Sequence, residues 1–186
     1  MKPPVIAVFG SSQPPPLSPA YQTAYELGRA IAAEGWALCN GGYGGTMEAA
    51  AKGATEAGGH TIGVTCTAFG RRGVNRFTRQ EVPTFDLLAR LNTLWRLGQA
   101  YVVLPGGTGT LLELALVWEL VNKGLVRGSR PLVLLGDHWM PVVECVLREQ
   151  PESLRPPVAQ TVDEVVDLLR TALNRGSADE SSSPAA

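Results

Sequence analysis

The chain has 186 residues, 45% of them hydrophobic, and a formal net charge of −1. That length and composition suit one globular domain with a full core, and the near-neutral charge excludes the overall basic field that recruits nucleic acid. No apolar run is long enough to span a bilayer, and Met1-Lys-Pro-Pro lacks the features of a signal peptide. The expectation is a cytoplasmic protein with neither nucleic acid nor membrane as partner. Cys39, Cys66 and Cys145 are widely spaced and form no CxxC pair, so all three read as small buried hydrophobes in a reducing compartment.

In chain order, Val5-Ile-Ala-Val-Phe9 is an apolar strand ended by Gly10-Ser11-Ser12. A proline-rich loop follows, and Ser18-Pro19 predicts an N-cap with proline at the first helical position. Tyr21, Ala24, Tyr25, Leu27, Gly28 and Ile31 recur at helical spacing up to Gly35. Trp36-Ala-Leu-Cys39 is a second strand, leading into Asn40-Gly-Gly-Tyr-Gly-Gly45. Thr46 then opens an alanine-rich helix that stops at Gly58-Gly59, and Thr61-Ile-Gly-Val64 is a third strand. From Thr65 to Glu81 the periodicity lapses. The segment carries Arg71, Arg72, Arg76 and Arg79 and reads as an exposed loop. Thr84 is placed to cap a helix through Phe85, Leu88, Leu91, Leu94, Trp95 and Leu97.

Tyr101–Leu104 is a further buried strand, stopped by Pro105 and followed by Gly106-Gly107-Thr108-Gly109-Thr110 and a long helix to about Gly124. Pro131–Leu135 is a strand, Met140–Glu149 a helix, Pro157–Ala159 a brief strand, and Thr161 starts a last helix to Leu173. The alternation of strand and helix predicts a three-layer, doubly wound parallel α/β sheet of the Rossmann-like type over residues 1–175. Residues 176–186 are small and polar and are expected to form a disordered tail.

Three strands end in glycine-rich turns, which a parallel sheet gathers on one edge, where ligands bind. Backbone N–H groups there, with the positive end of the following helix, suit an anion such as phosphate. The candidates are Gly10 and Ser11 in the first turn, Gly42, Gly44, Gly45 and Thr46 in the second, and Gly106, Gly107, Thr108, Gly109 and Thr110 in the third. Neither dense turn is the dinucleotide fingerprint or a P-loop, and no acidic residue ends the second strand to hold a ribose. A redox dinucleotide is not expected.

Thr110-Leu-Leu-Glu113 by itself fits a capping box, in which threonine and glutamate satisfy backbone amides at a helix start. Thr161-Val-Asp-Glu164 has the same pattern with no glycine turn before it. Location separates the two, since a carboxylate one turn inside a phosphate site is a poor choice if anion binding is the only task. It could instead stabilise an oxocarbenium-like sugar or activate water. Arg90, mid-face on the preceding helix, reads alone as an arginine reaching to a solvated rim, with phosphate or Glu113 as alternative partners. His60 and His138 have no partners at metal spacing, so no metal is expected. Lys2, Lys52 and Lys123 are not placed as a Schiff-base lysine, which disfavours pyridoxal chemistry.

Pro105-Gly-Gly-Thr-Gly-Thr-Leu-Leu-Glu113 resembles the PGGxGTxxE signature of the LOG family, which includes cytokinin-activating phosphoribohydrolases and proteins once labelled lysine decarboxylases. The resemblance extends over roughly Val5 to Leu173. It implies hydrolysis of the N-glycosidic bond of a nucleoside 5′-monophosphate, AMP or an N6-modified AMP, without a cofactor and in a homodimer or higher homo-oligomer. In the family an arginine fifteen residues before the signature proline works with the signature glutamate, and that position is Arg90 here. The resemblance thereby implies Arg90 and Glu113 as the catalytic pair. Leu91 stands where the family usually has lysine. The second turn, ending Thr46-Met47-Glu48, is similar to that of the molybdenum-cofactor carrier proteins, which implies as the alternative a binding or carrier role without hydrolysis.

Overall fold

The computed structural model describes residues 2–70, 73–125 and 130–181. Seven strands form one parallel sheet: β1 Val5–Phe9, β2 Ala37–Asn40, β3 Thr61–Cys66, β4 Gln80–Thr84, β5 Ala100–Val103, β6 Leu132–Leu135 and β7 Val158–Ala159. Their order is β4-β3-β2-β1-β5-β6-β7. Among the described residues five α-helices lie between strands, α1 Pro19–Ala33, α2 Thr46–Glu56, α3 Leu87–Leu97, α4 Thr108–Asn122 and α5 Met140–Glu149, and α6 Val162–Ser181 follows β7. The sheet therefore reverses direction of growth between β1 and β5, the switch point at which doubly wound sheets open a crevice.

The period of two along each strand builds both layers at once. Ile6 and Val8 of β1 face one way with Val102 of β5 and Val133 of β6, against Leu27 and Ile31 of α1, Ala50 of α2 and Leu169 of α6. Ala7 and Phe9 face the other way with Tyr101, Val103 and Leu134, against Leu94 of α3, Leu114 and Trp118 of α4 and Val143 of α5. Each fully buried Leu, Ile or Val contributes about 1.5–3 kcal/mol, so both faces are secured independently. The Ser18 cap holds as expected, its hydroxyl accepting from the Tyr21 N–H with proline at the helix start.

Several expectations need correction. The stretch from Thr65 to Glu81 is not wholly loop. β3 continues to Cys66, a single 3-10 turn spans Thr67–Phe69, and Gln80–Thr84 pairs with β3 as a parallel edge strand. This strand is mostly exposed, polar and contains Pro83, which an edge tolerates and a central strand does not. Thr84 therefore belongs to a strand, and α3 is capped instead by Asp86, whose carboxylate accepts from the Ala89 N–H at 2.7 Å. Cys39 and Cys66 are buried, but Cys145 is exposed on α5. The last helix, expected to end at Leu173, runs on to Ser181 through the start of the anticipated tail, and residues 182–186 lie outside the described ones. Arg71 and Arg72 lie outside them too. Among the described residues no helix is long and apolar enough to cross a membrane.

Candidate functional site

β1 and β5 are hydrogen-bonded neighbours, with Phe9 opposite Val103 and the Leu104 N–H donating to the Phe9 carbonyl. Their turns, Gly10–Ser12 and Pro105–Gly107, are thereby fixed side by side at the switch point. A cavity of about 640 Å³ opens there. Of the candidate residues, it gathers Gly10, Ser11, Arg90, Gly107, Thr108, Gly109, Thr110 and Glu113. Ser12, Gln13, Tyr43, Met47, Phe69, Leu87, Leu91 and Leu112 complete the lining. Arg90 and Glu113 are the sole ionisable acid and base among these residues, tyrosine apart, so the lining carries one full charge of each sign.

The third turn delivers an open helix start. Gly107 is the N-cap of α4, with no side chain to cap it, and the first helical bond runs from the Leu111 N–H to the Gly107 carbonyl. The amides of Gly107 to Thr110 precede that bond and have no carbonyl one turn back to accept them. Gly107, Thr108 and Gly109 are exposed toward the cavity, so their N–H groups and the helix dipole suit an anion. Gly106 does not line the cavity. Its carbonyl lies 3.1 Å from His138 Nε2, and the neighbouring Trp139 donates its indole N–H to the Leu104 carbonyl at 3.0 Å. Two side chains of the β6–α5 turn thus grip the segment that leads into α4. Because a trans peptide points its C=O and N–H in opposite directions, holding the Gly106 carbonyl toward His138 turns the Gly107 N–H the other way.

The second turn serves the site differently. Gly42, Gly44, Gly45 and Thr46 stand behind the cavity wall and do not line it. The Gly42 N–H donates to Asn40 Oδ1 at 2.8 Å, and the Thr46 N–H and hydroxyl both donate to the Ser11 carbonyl, at 2.9 and 3.0 Å. Those groups are engaged by the chain itself. Gly45, at φ +65°, packs directly on the Ser11–Ser12 backbone, where a Cβ would collide. The turn clamps the first glycine turn in position and presents Tyr43 and Met47 to the cavity.

Arg90 and Glu113 meet across helices α3 and α4. Arg90 Nη1 donates to Glu113 Oε1 at 3.0 Å, and Arg90 Nε donates to the Val64 carbonyl at 3.0 Å. The two residues are only 6% and 8% exposed, so Arg90 is not at a solvated rim. A side chain at Gly41 would strike Arg90 Nη2, which explains glycine at that position. The guanidinium carbon also lies 6.0 Å from the Tyr43 ring and 5.8 Å from the Phe69 ring. Burial pushes the Glu113 carboxyl above its ordinary range, and the Arg90 charge and hydrogen bond pull against that without cancelling it. Cys39, beneath the pair, is pushed up to about 12 by burial and is an inert thiol.

Tyr43 and Phe69 were not candidates on sequence. Tyr43 sits inside a glycine turn, where the glycines take the attention, and Phe69 lies in a stretch without periodicity. An aromatic between strand end and glycine is the one signal that marks both. Among the described residues no three His, Cys, Asp or Glu side chains converge as a metal set would.

Residues 3–143, which contain all three turns, Arg90 and Glu113, match the sequence model of the SLOG cluster4 family. The chain belongs to that family. A cytokinin riboside 5′-monophosphate phosphoribohydrolase of Mycobacterium tuberculosis is 34% identical over 63% of this chain and 63% of its own length, so the match spans less than two thirds of that relative. One from Rhodococcoides fascians is 30% identical over 84% of this chain and 80% of its own length. A solved structure described as the molybdenum cofactor binding protein of the phototrophic bacterium Rippkaea orientalis superposes with a TM-score of 0.76 at 28% identity, covering 93% of this chain and 99% of that one. This SLOG domain is thus similar in sequence to proteins named as hydrolases and in structure to a protein named as a cofactor binder, which matches the double resemblance read from its second and third turns.

Proposed function

We propose that this SLOG protein hydrolyses the N-glycosidic bond of a nucleoside 5′-monophosphate, AMP or an N6-modified AMP, giving the free base and ribose 5-phosphate. The observation that carries the reading is the buried Arg90–Glu113 pair lining the same cavity as the open start of α4. The amides of Gly107 to Thr110, with Gly10 and Ser11 facing them, hold the 5′-phosphate. Glu113 then lies under the ribose, where its carboxylate stabilises the positive charge that develops at C1′ as the bond to the base lengthens. Water supplies a hydroxyl to C1′ and a proton to the departing base nitrogen. Arg90 holds the carboxylate in place and, through its bond to Val64, ties it to the sheet. The relatives named as phosphoribohydrolases support this reading. The protein is proposed to act in the cytoplasm as a homodimer. Leu94 and Trp118 are core residues, whereas Phe85, just before α3, and Leu88, in its first turn, are 81% and 76% exposed and supply the apolar subunit contact.

Product analysis against a panel of nucleoside monophosphates tests the reading: free base should appear with AMP or an N6-modified AMP. A second reading is favoured by Leu91, an apolar residue buried in the cavity wall, and by the similarity to the R. orientalis protein. In that case the site retains a phosphorylated ligand unaltered. Binding of AMP without base release, or a pterin found by mass spectrometry in the purified protein, would replace the hydrolase reading with this one.

A further inference from the structure

Most large apolar side chains among the described residues are buried, yet Phe69 is 44% exposed and lines the cavity. Part of its ring is covered by Arg90, with the guanidinium carbon 5.8 Å from the centroid, and by Tyr43, whose ring lies 6.2 Å away and tilted by 47°. Its position is set by more than the turn that carries it. The Tyr43 hydroxyl accepts from the Cys66 N–H at 2.9 Å, just before that turn, and the Thr67 hydroxyl donates to the Phe85 carbonyl at 3.0 Å. Gly70, at φ +64°, closes the turn with a bond from its N–H to the Thr67 carbonyl. An aromatic ring is therefore held ready at the lip of a cavity whose other wall is a row of amides and hydroxyls.

We infer that Phe69 is a specificity-determining residue of this site, the platform on which the planar ring of the ligand's base stacks while its phosphate occupies the start of α4. The inference rests on the nucleotide reading of the cavity given above. Stacking asks for a flat π-face and is indifferent to the pattern of donors and acceptors on the ring. Phe69 thus selects base-bearing ligands over ribose 5-phosphate, which has no ring to offer. Arg90 beneath the ring draws on its negative face, so the same charge that holds Glu113 also steadies the platform.

Calorimetric titration of AMP and of ribose 5-phosphate into the wild-type protein and into Phe69→Ala, Phe69→Leu and Phe69→Trp tests this. Phe69→Ala should weaken AMP binding about tenfold, the order expected for one base–aromatic stack, and leave ribose 5-phosphate unchanged. Phe69→Trp should retain AMP binding, and Phe69→Leu, of similar bulk but without a π-face, should not. Unaltered AMP affinity in Phe69→Ala would overturn the inference. So would a parallel loss of both ligands, which would make Phe69 merely a prop for Arg90, and so would full rescue by leucine. The two proposals fail separately: AMP bound but never cleaved removes the hydrolase reading and leaves Phe69 standing, whereas wild-type protein binding no AMP removes both.

Discussion

Thr110 and Glu113 lie at the start of α4, and Thr161 and Glu164 lie at the start of α6, with the same spacing. At the second place the pattern makes a cap. The Glu164 N–H donates to the Thr161 hydroxyl at 3.2 Å, and the Glu164 carboxylate reaches back to the Gln160 N–H at 2.6 Å, all in solvent. At the first place it does not. Gly107 takes the N-cap position, so the helix begins at Thr108 and Thr110 already lies within its first turn. Glu113 is carried a further turn inward, onto the face toward α3, where it meets Arg90. The difference lies in what precedes each threonine. Pro105-Gly-Gly follows a central strand and opens the helix early, whereas Thr161 follows a two-residue edge strand and is itself the cap. A four-residue pattern fixes neither its own register in the helix nor the partner its carboxylate finds.

The contrast is broken most severely by removing one side of the buried pair. Arg90→Ala leaves the Glu113 carboxylate without a counter-charge in the interior and should cost about 3–5 kcal/mol, read by urea unfolding. The double change Arg90→Leu with Glu113→Leu should recover most of that loss. A second test uses pH. Glu113 is proposed to work as the carboxylate, and burial raises its folded value above the ordinary 4.5. The rate of base release should therefore fall as pH drops through a value above 4.5, where a carboxylate in water would still be ionised. The stability sign follows from the same shift. Between 4.5 and the raised value the folded chain binds more protons than the unfolded one, so the Glu113 contribution falls as pH rises through that window. Comparison of wild type with Glu113→Gln isolates it.

Smaller effects sharpen the comparison from the other side. Thr161→Ala removes a real cap and should cost about 1 kcal/mol with no change in the rate of base release. His138→Ala frees the Gly106 carbonyl that orients the turn into α4. The loss of one hydrogen bond, about 0.5–1.5 kcal/mol, predicts nucleotide binding a few-fold weaker with kcat retained, and His138→Gln should restore part of the affinity.

The layered α/β architecture is legible in the sequence because β1, β2, β3, β5 and β6 are short apolar runs, each ended by glycine or proline or leading into a helix. β4 is not legible, because an edge strand carrying Gln80, Glu81 and Pro83 needs no alternation and shows none. The glycine turn that opens α4 is plain in Pro105–Thr110. The Arg90–Glu113 pair is not visible in local pattern, since its members lie on different helices and each has an ordinary local explanation. Only the family spacing brings them together. Phe69 and Tyr43 stay hidden for a related reason: their meeting depends on Cys66 and Thr67 anchoring a turn, which no periodicity encodes.

The most direct test of the account measures binding and chemistry in the same samples. AMP is titrated calorimetrically into wild-type protein and Glu113→Ala, and free adenine is quantified from each. If the α4 amides bind the phosphate and Glu113 carries the reaction, affinity should change little while base release falls by about 10²-fold or more. Equal rates in the two proteins, or loss of binding and release together, would contradict it.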